Sequence, residues 1–97
     1  MKYEIWQLKK ENLRAYGFMD YDWANEHGFK IEDYEKTYSG EYENHPEWDS
    51  EIWLELLFKV FNVNRPEDFK GHSLSVSDIV VLNGEKFYCD SLGWKAI

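Results

Sequence analysis

Hydrophobic and polar residues alternate along this chain with two different periods, and the sharper pattern lies near the C-terminus. Ile79-Val80-Val81-Leu82 is an unbroken apolar run, and Phe87-Tyr88-Cys89 is a second one beyond Asn83-Gly84. Asn-Gly is the dipeptide that most favours a tight type I′ turn, because both central residues of that turn need a positive φ. The arrangement predicts a β-hairpin. Apolar residues at consecutive rather than alternate positions imply that both faces of the first strand are covered, so it should lie inside a sheet and not at its edge.

The other pattern has a helical period. Ile52, Trp53, Leu56, Leu57, Val60 and Phe61 recur as one helix face, Leu54 and Phe58 add a second row, and Glu51, Glu55 and Lys59 form a polar stripe. Asp49 or Ser50 can cap this helix, Glu51 favours its positive end, and Asn62 to Asn64 end it. A helix this apolar should be the main packing partner of the sheet.

Upstream, Lys2 to Lys9 reads as a strand. Glu11 to Phe18 and Tyr21 to His27 read as short helical turns ending at Gly17 and Gly28, since glycine commonly follows a helix. Tyr16, Phe18, Tyr21 and Trp23 lie too close together for all to be buried on one short element, so part of that set should reach the surface. Tyr34, Tyr38 and Tyr42 are four apart, as on one helical face, but Gly40 interrupts them. A strand over Lys36 to Tyr42, bulged at Gly40, fits better. Asn44 to Glu47 and Pro66 to Phe69 read as turns, and Gly93 to Ile97 either extends the hairpin or adds a short strand. The expectation is one α+β domain over residues 1–97: a small, mostly antiparallel sheet whose C-terminal hairpin packs against one main helix.

Composition changes this picture in three ways. A chain of 97 residues can bury roughly two thirds of its unfolded surface and fold without staples. Its lone Cys89 excludes an internal disulfide, and no N-terminal apolar stretch has the length of a signal peptide or membrane span, so a cytoplasmic location is expected. The third change is charge. From Asp20 to Glu55 twelve acids face only Lys30 and Lys36, while the remaining nine basic and seven acidic residues nearly balance, within a total of −8. Such a lobe repels nucleic acid and steers basic partners toward it.

The lobe interleaves carboxylates with Tyr21, Trp23, Tyr34, Tyr38, Tyr42, Trp48 and Trp53, and Tyr and Trp are frequent interface anchors. The partner-binding set expected from this is Asp20, Asp22, Trp23, Glu35, Tyr38, Glu41, Tyr42, Glu43, Glu47 and Trp48. The plain alternative is a solvated face that keeps the protein soluble.

The run from Arg65-Pro66-Glu67-Asp68-Phe69-Lys70-Gly71-His72 through Ser73-Leu74-Ser75-Val76-Ser77-Asp78 to Ile79-Val80-Val81-Leu82 resembles the signature of the YodL-like family. Tyr88 and Asp90-Ser91-Leu92-Gly93-Trp94 behind it, the opening Tyr3-Glu4-Ile5-Trp6-Gln7-Leu8, Phe18-Met19, Trp23, and Tyr38 with Gly40-Glu41 are similar too. At Cys89 and Leu92 the chain departs from the residues expected around Asp90-Ser91. The resemblance implies a part of a large polyvalent protein of conjugative elements and phages, or a small free-standing protein, with an accessory or anti-defence role. It supplies no catalytic residues.

Candidate chemistry is sparse. Gly71-His72-Ser73 with Ser75, Ser77 and Asp78 contains a nucleophile, a base and an acid, but a triad is defined by geometry and not by local order. In the structural reading, Gly71 makes a turn, Ser77 or Asp78 bonds backbone amides where the strand begins, and His72 satisfies a carbonyl. Asp20-Tyr21-Asp22 begins like a calcium loop, yet Asn25 stands where glycine is needed and Ile31 where a bidentate glutamate is needed. His27, His45 and His72 lack zinc-ligand spacing, Cys89 reads as a small core residue, and no glycine-rich phosphate loop occurs, so no metal or cofactor is expected.

Three functions remain in order. The first is a non-catalytic inhibitor from a phage or mobile element, anti-CRISPR or anti-restriction, that blocks the nucleic-acid groove of a host nuclease without itself binding nucleic acid. The second is a structural, docking or oligomerisation domain of a larger mobile-element protein. An enzyme built on His72, Ser73 and Asp78 comes last.

Overall fold

A computed structural model describes residues 1–97. Five strands, β1 (Lys2–Leu8), β2 (Tyr34–Glu41), β3 (Ile79–Leu82), β4 (Glu85–Asp90) and β5 (Gly93–Ala96), form one antiparallel sheet in the order β2-β1-β3-β4-β5. The hairpin has the expected two-residue turn: Leu82 pairs with Glu85, and Asn83 and Gly84 have φ of 48° and 89°. β3 is the central strand, and all four of its residues are buried. The C-terminal residues make a strand of their own, β5, on the edge beyond β4.

Between β1 and β2 lie α1 (Leu13–Tyr16), preceded by a single 3-10 turn at Lys10–Asn12, and α2 (Tyr21–Glu26). A further 3-10 turn at Ile31–Asp33 leads into β2. After β2 comes the main helix, α3 (Ser50–Val63), whose amino end is capped by Asp49 accepting from the Ile52 amide at 3.0 Å. Phe18 and Trp23, at 60% and 41% exposure, are the members of the early aromatic set that reach the surface, whereas Tyr16 is buried.

Each face of the sheet has its own core, because successive strand residues point to opposite sides. On one face Tyr3, Ile5, Val80, Leu82 and Phe87 meet Trp53, Leu54, Leu57 and Phe61 of α3. On the other, Leu8, Ile79, Val81 and Tyr88 are covered by Tyr16, Ala24 and Tyr34, with Tyr21 and Phe29 edge-on to Tyr88. The sheet is thus sandwiched between α3 and the α1–α2 segment.

The bulge in β2 falls elsewhere than expected. Ile5 pairs with Tyr38 and Trp6 with Lys36, so the extra residue is Thr37, and its hydroxyl donates to the Ile5 carbonyl at 3.3 Å. Gly40 instead pairs regularly with Tyr3. A Cβ there would stand 2.6 Å from the Tyr3 hydroxyl, so this glycine makes room for a ring. Inserting one residue flips the strand's alternation. That is why Tyr34 joins the α1–α2 core while Tyr38, four residues on, joins the α3 core.

Candidate functional site

The loop between α3 and β3 closes over a polar cluster at the carboxyl end of β1. Gln7 and Asp78 are buried, at 2% and 1% exposure. The two amide protons of Gln7 go to the His72 carbonyl at 2.9 Å and to Asp78 Oδ2 at 3.1 Å. Asp78 Oδ2 also accepts from the Ser75 amide at 2.8 Å. His72 Nδ1 lies 2.7 Å from the Ser73 carbonyl, which assigns the proton to Nδ1, and Nε2 faces Asp78 Oδ1 at 3.8 Å. Burial pushes the Asp78 carboxyl up to about 7, against the opposing influence of the His72 ring and of the bonds from Gln7 and Ser75.

Gly71 is needed here for space. A Cβ on it would stand 2.1 Å from Gln7 Oε1 and 2.8 Å from the Phe69 ring. That carboxamide oxygen has no hydrogen-bond partner, so Gln7 is held by its donors alone. Ser77 adds a second anchor: its hydroxyl accepts from the Phe18 amide at 3.0 Å, and its carbonyl accepts from the Tyr34 hydroxyl. Both Phe18 and Ser77 adopt positive φ, 64° and 86°, which a side chain normally resists. The cluster therefore ties the Gly71–Asp78 loop to β1, β2 and the α1–α2 turn.

Of the possible triad, only His72 and Asp78 meet. Ser73 takes part through its backbone carbonyl, which also accepts from the Ser75 hydroxyl at 2.8 Å. Both His72 ring nitrogens are turned toward protein partners. The geometry is that of a loop clamp, with the amide-capping role expected for Ser77 and Asp78. Cys89 is buried, and burial raises its thiol to about 12, well above the range of a reactive thiolate.

The acidic residues expected to form one partner surface lie in two regions. Glu41, Tyr42, Glu43, Glu47 and Trp48 share a corner beside the chain start, where the Met1 ammonium donates to the Tyr42 carbonyl at 2.8 Å and to Asn44 Oδ1 at 2.6 Å. Trp48 stacks on His45 with centroids 4.1 Å apart and meets Trp53 edge-on at 4.7 Å. Glu41, Glu43 and Glu47 are exposed around these half-buried rings. Tyr38 lies on the same side of the sheet as Tyr42 and donates to Asp68 at 3.1 Å.

Asp20, Asp22 and Trp23 are at the other end of β1. Asp20 caps α2 through the Trp23 amide at 3.0 Å, and Trp23 stacks on His27 at 3.7 Å. Glu41 pairs with Lys2, whereas Tyr34, near α2, pairs with Leu8; six strand steps at about 3.3 Å separate the two ends by roughly 20 Å. Glu35 is exposed on β2 opposite Gln7, one pair from the Tyr34–Leu8 end and five from Glu41. The continuous face bearing seven interleaved rings does not form, because Tyr34 and Trp53 are core residues at 3% and 2% exposure. Sequence spacing carried no sign of this separation, which comes from the strand pairing.

Residues 2–97 match the YodL-like domain. The chain belongs to this family. The YodL-like match covers both the Gly71–Asp78 clamp and the acidic corner. No curated protein and no solved structure matches the chain.

Proposed function

We propose that this YodL-like domain is a non-catalytic protein-binding module of a phage or mobile genetic element, acting in the cytoplasm. In this reading it is an anti-defence inhibitor that blocks the nucleic-acid groove of a host restriction or CRISPR nuclease. One observation carries the proposal: Glu41, Glu43 and Glu47 stand exposed on a corner that Tyr42, Trp48 and Trp53 anchor to the core. Carboxylates held on a rigid base can replace phosphates in a basic groove with little loss of side-chain and loop freedom on binding. Asp20, Asp22, Trp23 and Glu35, on a separate stretch of surface, contribute long-range steering more than contact.

The test is inhibition of candidate host nucleases in a cleavage assay across a salt series. Inhibition that weakens steeply with ionic strength, yields to excess competitor DNA and disappears in an E41K/E43K/E47K variant supports the reading. Nucleases that cut at full rate with the protein in excess would refute it, and salt-insensitive inhibition would exclude phosphate mimicry.

A docking or oligomerisation role is the second reading, favoured by the open edge of β5 and the almost fully exposed Leu92 beside it. An unpaired edge strand is a template for pairing with another chain. Sedimentation at micromolar concentration separates the two, since self-association is required only by the second.

A further inference from the structure

The surface electrostatics are uneven in a direction opposite to the net charge. Two neighbouring clefts, about 730 and 630 Å³, share Lys36 and run along β1 and β2. Lys2, Lys36 and Lys86 line the first, and Lys10, Lys36 and Lys70 line the second; Glu4, Glu35 and Glu41 are the only acids in either. Five of the chain's eleven Lys and Arg residues thus line surfaces holding three of its nineteen Asp and Glu residues. The clefts carry +2 and the remainder of the chain −10.

The larger cleft lies on the sheet face opposite α3, where the α1–α2 layer stops at Ile31 and leaves part of the sheet uncovered. Its lining mixes apolar Trp6, Val81 and Ile31 with the three lysines. Trp6 is fixed in place, because its indole N–H donates to Glu4 Oε1 at 2.8 Å and Glu4 Oε2 lies 3.9 Å from the Lys36 ammonium. Glu4 is in this way largely engaged by its neighbours. Lys2 and Lys86 have no carboxylate within salt-bridge range, so their ammonium groups are free to meet a ligand.

We propose that this cleft binds a small molecule combining a flat apolar ring with a phosphate group. The ring would lie against the half-buried Trp6 and Ile31, and the phosphate would be held by Lys2 and Lys86, the two lysines of the cleft without a carboxylate partner. Concave, partly apolar surfaces with a few convergent polar groups are the usual form of such sites. Lysine suits phosphate as a compact charge, and charge-assisted bonds of this kind are the stronger ones. A small anion fits better than a nucleic-acid strand, because the −10 on the rest of the molecule repels a polymer whose charges extend beyond the cleft.

The experiment is an amide NMR titration of the full chain with adenosine monophosphate, with adenosine and inorganic phosphate as separate probes. Expected are shifts at Lys2 to Trp6, Ser39 to Glu41, Val81 to Gly84 and the Trp6 indole, saturating below ~10 mM nucleotide. They should weaken about tenfold or more in a K2E/K86E variant whose remaining spectrum shows an intact fold. Absence of shifts, equal affinity for phosphate alone, or retention of binding by K2E/K86E would each overturn the proposal. Tighter binding of a single-stranded oligonucleotide than of the mononucleotide would overturn the choice of a small ligand.

Discussion

At the scale of single residues, Asp78 is the group whose burial should be most visible in solution. Its folded value of about 7 lies above the ordinary 3.8, so the folded protein holds this proton more tightly than the unfolded chain does. The Asp78 contribution to stability is therefore fully present below about pH 4 and is lost as pH rises through about 7. Asp78→Asn, which imitates the neutral acid, should gain on the wild type across that window, by an amount on the order of a few kcal/mol. Parallel denaturant titrations at several pH values measure the difference; a pH-independent gap would contradict the assignment. Gly71→Ala tests the other side of the clamp. A methyl group 2.1 Å from Gln7 Oε1 forces the carboxamide or the loop to move, and the expected loss is about 1–3 kcal/mol in chemical unfolding. That His72, Ser73 and Asp78 are close in sequence was plain, but which of them touch was not, because Gln7 joins them from 65 residues away.

Among the elements, α3 and the hairpin follow directly from local pattern. The helix begins where Asp49 can accept an amide proton, and Asp49→Ala should cost roughly 0.5–2 kcal/mol in thermal or chemical melts. β2 is the opposite case. Its tyrosine spacing suggested one face and its glycine suggested the bulge, yet the bulge is at Thr37 and the tyrosines divide between two cores. No local preference marks Thr37. The flip is set by which core each ring can fill. Deleting Thr37 should force either Tyr34 or Tyr38 out of its core, and the expected result is a loss of several kcal/mol, comparable with losing a buried aromatic ring, seen as a collapsed unfolding midpoint. A deletion variant as stable as the parent would show that the bulge is not what distributes the rings.

For the whole molecule, the separation of charge matters more than its sum. The acidic corner, whose Glu43 and Glu47 lie in the loop after β2, adjoins the larger lysine-lined cleft at Glu41, so neighbouring patches of one surface present opposite potentials. Glu41, Glu43 and Glu47 are solvated and bear no structural burden beyond the His45 contact of Glu47 at 3.2 Å. Reversing all three to lysine should leave the melting temperature within a few degrees of the parent, because exposed charges contribute little to folding. A large drop in calorimetry would instead make the corner structural and weaken its use as a docking surface.

The chain's own order of residues determined the α+β class, the central position of β3, the tight Asn83-Gly84 turn and the start of α3, which runs on through Asn62 to Val63. Each depends on neighbours within about ten residues, through φ preferences, capping and apolar period. Only tertiary structure decided which acids share a surface, which tyrosines are buried, and that lysines scattered from Lys2 to Lys86 meet along two clefts. Those outcomes depend on strand order and on one inserted residue. Antiparallel pairing brings together positions as far apart as Tyr3 and Leu82, and a single bulge reverses the side of the sheet that every later side chain of its strand faces.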